Sequence, residues 1–366
     1  MELVVRKNDL LRELQLFQGI VERKNTIPIL ANVLLEARGD EVQMLATDLE
    51  VGLRSRCAAS VAKGGALTLP AKKLYEIVKA LPDTDVRIEQ DSTSVTIAAD
   101  RFDSKMQTLP REDFPTVPDP AGQGAVTLPG KVFRDMVART QFAITSEDTR
   151  YFLNGALLVL GGQQMTLVAT DGHRLALVTV PREGGADELK VILPKKTLTE
   201  LSKLLGEGDG EIRFEQGENH LFFRVGDRLL ISRKIDGQFP AYERVIPKGN
   251  DKRVEFERDR ITNAIRRVAL LSNERSRAVK LLLDGGKVDV TSSSPEFGEA
   301  HELLSVEYGG PPLQICFNAQ YVLDFLNVVE TDAVALELKD EVRQALMRPV
   351  APEGYEYTYV IMPMRI

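Results

Sequence analysis

Leu193-Pro194-Lys195-Lys196-Thr197-Leu198 repeats Leu69-Pro70-Ala71-Lys72-Lys73-Leu74, and Ala169-Thr170-Asp171 repeats Ala46-Thr47-Asp48. Phe239-Pro240 likewise repeats Phe114-Pro115, and the three pairs lie 123 to 125 residues apart. A period that long belongs to a copied domain rather than to a solenoid unit. The 366 residues leave room for a third copy. It is present in decayed form: Lys287-Val288-Asp289-Val290-Thr291 stands where Val42–Ala46 and Met165–Ala169 stand earlier, and Phe317-Asn318-Ala319-Gln320-Tyr321 replaces the Leu-Pro-Lys start. The hydrophobic pattern persists while the charged motif is lost. The sequence therefore predicts three similar folds with different surfaces.

Each copy holds two segments with apolar residues at helical spacing. The first kind covers 9–21, 131–142 and 258–271, with Leu10, Leu14, Phe17 and Val21 setting the pattern in the first copy. The second kind starts after Pro70, after Pro194 and near Asn318. Proline suits a helix start because its missing N–H has no intrahelical partner there. Between helices, stretches such as Glu41-Val42-Gln43-Met44 and Val86-Arg87-Ile88-Glu89-Gln90 alternate as strands do, broken by Gly39-Asp40, Gly161-Gly162 and Gly285-Gly286. This mixture favours an α+β class over a doubly wound parallel sheet. Pro- and Gly-bearing stretches at 115–124 and 247–251 place domains at 1–121, 122–247 and 248–366.

Hydrophobic residues at 43% and charged residues at 28% describe a soluble globular chain with ample core. No apolar run approaches the ~20 residues of a membrane helix, and Met1–Lys7 lacks a secretory apolar stretch. Cys57 and Cys316 have no metal-binding or redox spacing and read as buried free thiols of a reducing cytoplasm.

The net charge of −7 argues against nucleic acid, but its distribution does not. Taken with their flanks as 5–21, 70–81, 129–142, 194–205, 257–271 and 317–329, the six helical windows carry sixteen Lys and Arg against eight Asp and Glu, so the rest of the chain is strongly acidic. Lys72, Lys73, Lys195 and Lys196 sit in first turns, where the helix dipole disfavours cations. A solvated face would explain any one of them; the pair recurring in two copies suggests a basic face turned toward phosphates, read without base specificity.

Arg150-Tyr151-Phe152-Leu153-Asn154-Gly155 and Thr170-Asp171-Gly172-His173-Arg174-Leu175 mark the middle copy. His173 beside Asp171 leaves a hydrolase or lyase reading open. Yet no metal spacing joins His173, His220 and His301, and no nucleophile elbow, phosphate loop or dinucleotide fingerprint occurs. A non-enzyme without cofactor or metal is the expectation. The C-terminal Tyr357–Ile361 reads as a closing strand, and Met362-Pro363-Met364 beyond it suits an adaptable apolar groove.

Thr26-Ile27-Pro28-Ile29-Leu30, Ala169–Leu175, Phe239-Pro240 with Tyr242, Ser272-Asn273-Glu274 and the ending Val360–Arg365 together resemble the bacterial DNA polymerase III β subunit family, over the whole chain. The resemblance implies three tandem DNA-clamp domains, each with two helices on antiparallel sheets. It also implies a head-to-tail homodimer forming a six-domain ring around double-stranded DNA, bound without regard to sequence. Partners implied are the replicative polymerase, the clamp loader and other proteins bearing clamp-binding motifs, with no membrane. A partner-peptide pocket between the second and third domains would comprise Leu153, Thr170, Gly172, His173, Arg174, Leu175, Pro240, Val245, Asn318, Tyr321, Val342, Val360, Met362, Pro363, Met364 and Arg365, with His173 and Arg174 at its rim. DNA contacts would come from Arg23, Lys24, Lys72, Arg150, Tyr151, Phe152 and Lys196, with Glu147 an unexpected charge in that region. Leu270 and Leu271 match the ring-closing position. A peptide-binding scaffold on the same fold, without a ring, remains a third reading; the basic helices speak against it.

Overall fold

The computed structural model describes residues 1–21, 26–91, 94–145, 148–183, 188–206 and 210–365. Arg23, Lys24, Glu147 and Ile366 lie outside the described residues. The six helices read from the sequence form within about a turn of their expected ends: α1 (Lys7–Phe17), α2 (Ala71–Ala80), α3 (Gly130–Thr140), α4 (Lys195–Leu205), α5 (Arg258–Ala269) and α6 (Ala319–Leu326). α1 buries Leu10, Leu14 and Phe17, and α5 buries Ile261, Ile265 and Val268, the residues whose spacing announced them. Burying each such side chain stabilises the fold by roughly 1.5–3 kcal/mol. α2 and α4 follow Pro70 and Pro194 directly, whereas α6 starts where the Asn318 side chain accepts the N–H groups of Gln320 and Tyr321.

The chain folds as two compact units, residues 1–134 with 196–234 and residues 135–195 with 235–366. Each contains one large and one small antiparallel sheet. In the first unit the strands Val126–Pro129, Glu211–Gln216, His220–Val225, Arg228–Arg233, Val51–Ala58, Glu41–Thr47, Asn32–Arg38 and Gly65–Pro70 make an eight-stranded sheet in that order. A five-stranded sheet there ends on Phe102–Gln107. In the second unit the order is Leu189–Pro194, Gly155–Gly161, Gln164–Thr170, Arg174–Pro181, Glu356–Ile361, Ala345–Pro349, Ala333–Leu338 and Lys252–Glu257. Its four-stranded sheet ends on Gly298–Ser305.

Three sequence repeats thus pack as two units, because each large sheet runs across a repeat seam. At the first seam Ser232 pairs with Val51 and Leu229 with Arg54. At the second, Arg174 pairs with Ile361 and Thr179 with Glu356. The first seam also carries a buried ion pair: Glu13 of α1 is 3% exposed and accepts from Arg228 Nε and Nη2 at 2.9 and 2.7 Å. Burial pushes the Glu13 carboxyl up, but hydrogen bonding and charge from Arg228 outweigh it and hold it below the ordinary 4.5.

Candidate functional site

The residues singled out in the middle repeat converge within the second unit on a turn and an apolar cluster. In the turn, Thr170 Oγ1 donates to the carbonyl of Arg174 at 2.7 Å and accepts the Gly172 N–H at 3.1 Å. Asp171 Oδ1 accepts the N–H groups of His173 and Arg174 at 2.9 and 3.0 Å. Gly172 has φ +86°, a conformation open to glycine and strained for residues with a Cβ. Short polar side chains closing on their own backbone are what a Thr-Asp pair supplies at a strand end.

Leu153, Leu175 and Val360 lie in one buried cluster with Leu157, Val168, Ile192, Phe239 and Leu346. Tyr242 and Ile246 pack against it, and burial raises the Tyr242 hydroxyl above its usual range. Pro240 and Val245 flank these two and are exposed, Val245 at 40%. The tail is pinned at two points: the Met362 N–H donates to the carbonyl of His173 at 2.9 Å, and that of Met364 to the carbonyl of Cys316 at 2.7 Å. Met362 keeps 38% of its surface exposed, and Pro363 and Met364 are half-buried. A pinned backbone with open methionine side chains is a preformed apolar edge. His173 and Arg365 are exposed. Val342 is 51% exposed, in a turn tied to Asp340.

Arg174 requires a correction: it is not at the rim but 9% exposed. Its Nε donates to Asp171 Oδ2 at 3.1 Å, Nη1 to Asp324 Oδ2 at 2.5 Å, and Nη2 to the carbonyl of Phe142 at 2.7 Å. The guanidinium also lies 4.2 Å from the Tyr321 ring centre. Burial disfavours its charge, yet Tyr359 and these carboxylates raise its pKa all the same. Both oxygens of Asp171 are thus engaged in this scaffold. Sequence reading missed Asp324, Phe142 and Leu346. The one available signal was Asp324 itself, the sole charge in an otherwise uncharged α6.

The proposed DNA contacts are placed less uniformly. Tyr151 is 56% exposed, whereas Phe152 is partly buried and packs against the apolar cluster. Arg150 Nη2 donates to the carbonyl of Asp171 at 3.4 Å. Lys72 is half-buried on α2. Lys196 Nζ donates to Asp48 Oδ2 and to the carbonyl of Ile20, so it braces the first seam. Of the pair expected to close a ring, Leu270 is 79% exposed and Leu271 partly buried. Among the described residues no helix is long and apolar enough to cross a membrane, and no cluster of His, Cys, Asp and Glu could hold a metal ion.

Family models for the N-terminal, central and C-terminal domains of the DNA polymerase III beta subunit match residues 1–118, 127–241 and 243–365. The chain belongs to this family. It is 39% identical to the beta sliding clamp of Pseudomonas aeruginosa and 35% identical to that of Escherichia coli K12, with full coverage of both chains in each case. Among solved structures, the P. aeruginosa sliding clamp bound to griselimycin superposes with a TM-score of 0.94 at 39% identity. The Bartonella birtlesii clamp bound to griselimycin gives 0.95 at 36%, again with both chains fully covered. Three tandem clamp domains of α+β class are therefore the architecture of this chain, as its repeats announce.

Proposed function

We propose that this chain is a non-catalytic DNA sliding clamp: two copies close a ring around duplex DNA and tether the replicative polymerase, its loader and other partners through short peptides. The observation that carries the reading is the match of all three domains, end to end, to relatives named beta sliding clamp. Domain boundaries near 121 and 247, and action in the cytoplasm on the nucleoid, belong to the same proposal. Retention is topological, so a chain of net charge −7 can hold DNA through weak, sequence-independent contacts and still slide.

Ring closure has structural support of its own. Phe102–Gln107 and Gly298–Ser305 are terminal strands of their sheets and carry exposed Phe102 and Leu303, at 42% and 54%. Open, partly apolar edges are templates for strand pairing between chains. With Leu270 they form the proposed contact between two copies. Leu270→Asp is expected to give a soluble monomer, read by sedimentation; an unchanged dimer would remove Leu270 from the interface.

The docking groove is assigned to the cluster around Leu153, Leu175 and Val360, edged by Met362–Met364. Deleting residues 364–366 is expected to weaken griselimycin binding while the dimer persists. The deciding experiment loads the protein onto nicked circular DNA with a clamp loader, washes at high salt and then linearises the circle. Protein that survives the wash but leaves linear DNA is held by topology; equal loss from circle and line would refute the clamp reading.

A further inference from the structure

We propose that Asp324 is a positioning residue for the docking groove, acting through Arg174 and the Thr170–Arg174 turn. The inference rests on the groove being the docking site. It begins from a regularity of the repeats. The sixth residue of each second helix is acidic: Glu76 in α2, Glu200 in α4 and Asp324 in α6. In the first two helices the acid finds a lysine three residues away, Lys73 with Glu76 at 2.5 Å and Lys203 with Glu200 at 2.7 Å. In α6 those positions hold Tyr321 and Asn327, and no lysine is near in sequence. The acid instead reaches across the second seam to Arg174.

What it holds there is a chain of contacts ending at the groove. Asp324 Oδ2 accepts from Arg174 Nη1, and Arg174 Nε donates to Asp171 Oδ2. Asp171 Oδ1 fixes the His173 N–H, and the His173 carbonyl receives the Met362 N–H at 2.9 Å. Gln320 Nε2 donates to the other oxygen of Asp324 at 2.7 Å, fixing the carboxylate itself. Asp324 therefore sets the position of a methionine edge it does not touch. A binding edge set by supporting hydrogen bonds loosens when the support loses its charge.

The test uses griselimycin, the ligand of two related structures, titrated calorimetrically into the dimer. Asp324→Asn is expected to weaken binding about tenfold, the range in which indirect coupling acts. Asp324→Glu, which keeps the carboxylate, should recover most of it. Combining Asp324→Asn with Met362→Ala should cost less than the two separately, because both act on one edge. If the Asn variant folds poorly, Gln320→Ala loosens the same carboxylate without stranding a charge and should weaken binding about twofold. Affinity within error of the unaltered protein, with only thermal stability reduced, would overturn the assignment. Failure of the unaltered protein to bind at all would refute the groove, and the assignment with it.

Discussion

The turns Thr47–Val51 and Thr170–Arg174 are built alike and serve different surroundings. Thr47 Oγ1 donates to the Val51 carbonyl and accepts the Leu49 N–H, and Asp48 Oδ1 accepts the Glu50 and Val51 N–H groups. The same bonds recur 123 residues later at Thr170 and Asp171. In both, the second aspartate oxygen leads across a seam toward the next repeat's second helix. Asp48 reaches it through Lys196 of α4, and Asp171 through Arg174 to Asp324 of α6. Around the first turn, the chain's own linker closes in. Val117 packs on Phe222, Leu229 and Ile231, leaving a cavity of about 60 Å³ lined by Leu49, Pro115 and Ile231 among others. By sheet register Ile231 faces Gly52 as Val360 faces Leu175. The first seam is thus the counterpart of the proposed docking groove, filled from within. Duplication copied the scaffold, and the side chains above it decide whether a seam is a weld or a site.

Removing the aspartates tests this most strongly. Asp171→Ala takes from Arg174, 9% exposed, one of its two carboxylates and from the His173 and Arg174 N–H groups their acceptor, and should cost about 3 kcal/mol in denaturant unfolding. Asp48→Ala leaves Lys196, at 30% exposed, a path to water and should cost about half as much. Equal losses would mean that the two seams rely on their turns alike.

Next in size is the Glu13–Arg228 ion pair of the first seam. Glu13→Gln should cost about 2 kcal/mol at neutral pH, reduced from the fully buried value because Arg228 is 25% exposed. Glu13 titrates below 4.5 in the folded chain, so its contribution is present above that pH and lost as pH falls through the lowered value. The stability gap between variant and parent should therefore close in acid; a gap independent of pH would show that Glu13 acts by packing rather than charge.

The smallest effects concern the third residue of each turn. Gly172→Ala forces a Cβ onto φ +86° and should cost about 1 kcal/mol. Leu49 already bears φ +79°, so Leu49→Gly should be neutral or stabilise by under about 1 kcal/mol. A loss on Leu49→Gly would mean that the exposed leucine is held for its side chain.

Much of this was legible in the sequence, for local reasons. Leu10, Leu14 and Phe17 declare α1, Pro70 and Pro194 mark the starts of α2 and α4, and Gly-bearing pairs mark the hairpins, because each signal lies within a few residues. The family follows from motif order along the whole chain. What stayed hidden depends on partners far away in sequence. Arg174 looked like a rim cation because Asp324 is 150 residues off. The ion pair of Lys196 was invisible because Asp48 is 148 residues off. Phe152, beside Tyr151, packs partly on the cluster around Leu153, a contact its own neighbourhood in sequence does not announce. Leu346, on the strand Ala345–Pro349, was unreadable because most of the cluster it joins comes from residues far earlier in the chain.

The seam between Arg228–Arg233 and Val51–Ala58 carries a consequence for how such a chain can be cut or recombined. Neither strand ends its sheet, so a protease nick in the linker at 115–124 would sever the covalent thread without freeing a fragment. A graft of the first repeat alone onto another chain would arrive with a raw hydrogen-bonding edge along Val51–Arg54. The transferable piece is the pair of strands that meet at the seam, so exchange between relatives should break inside the middle repeat rather than at the borders its sequence advertises.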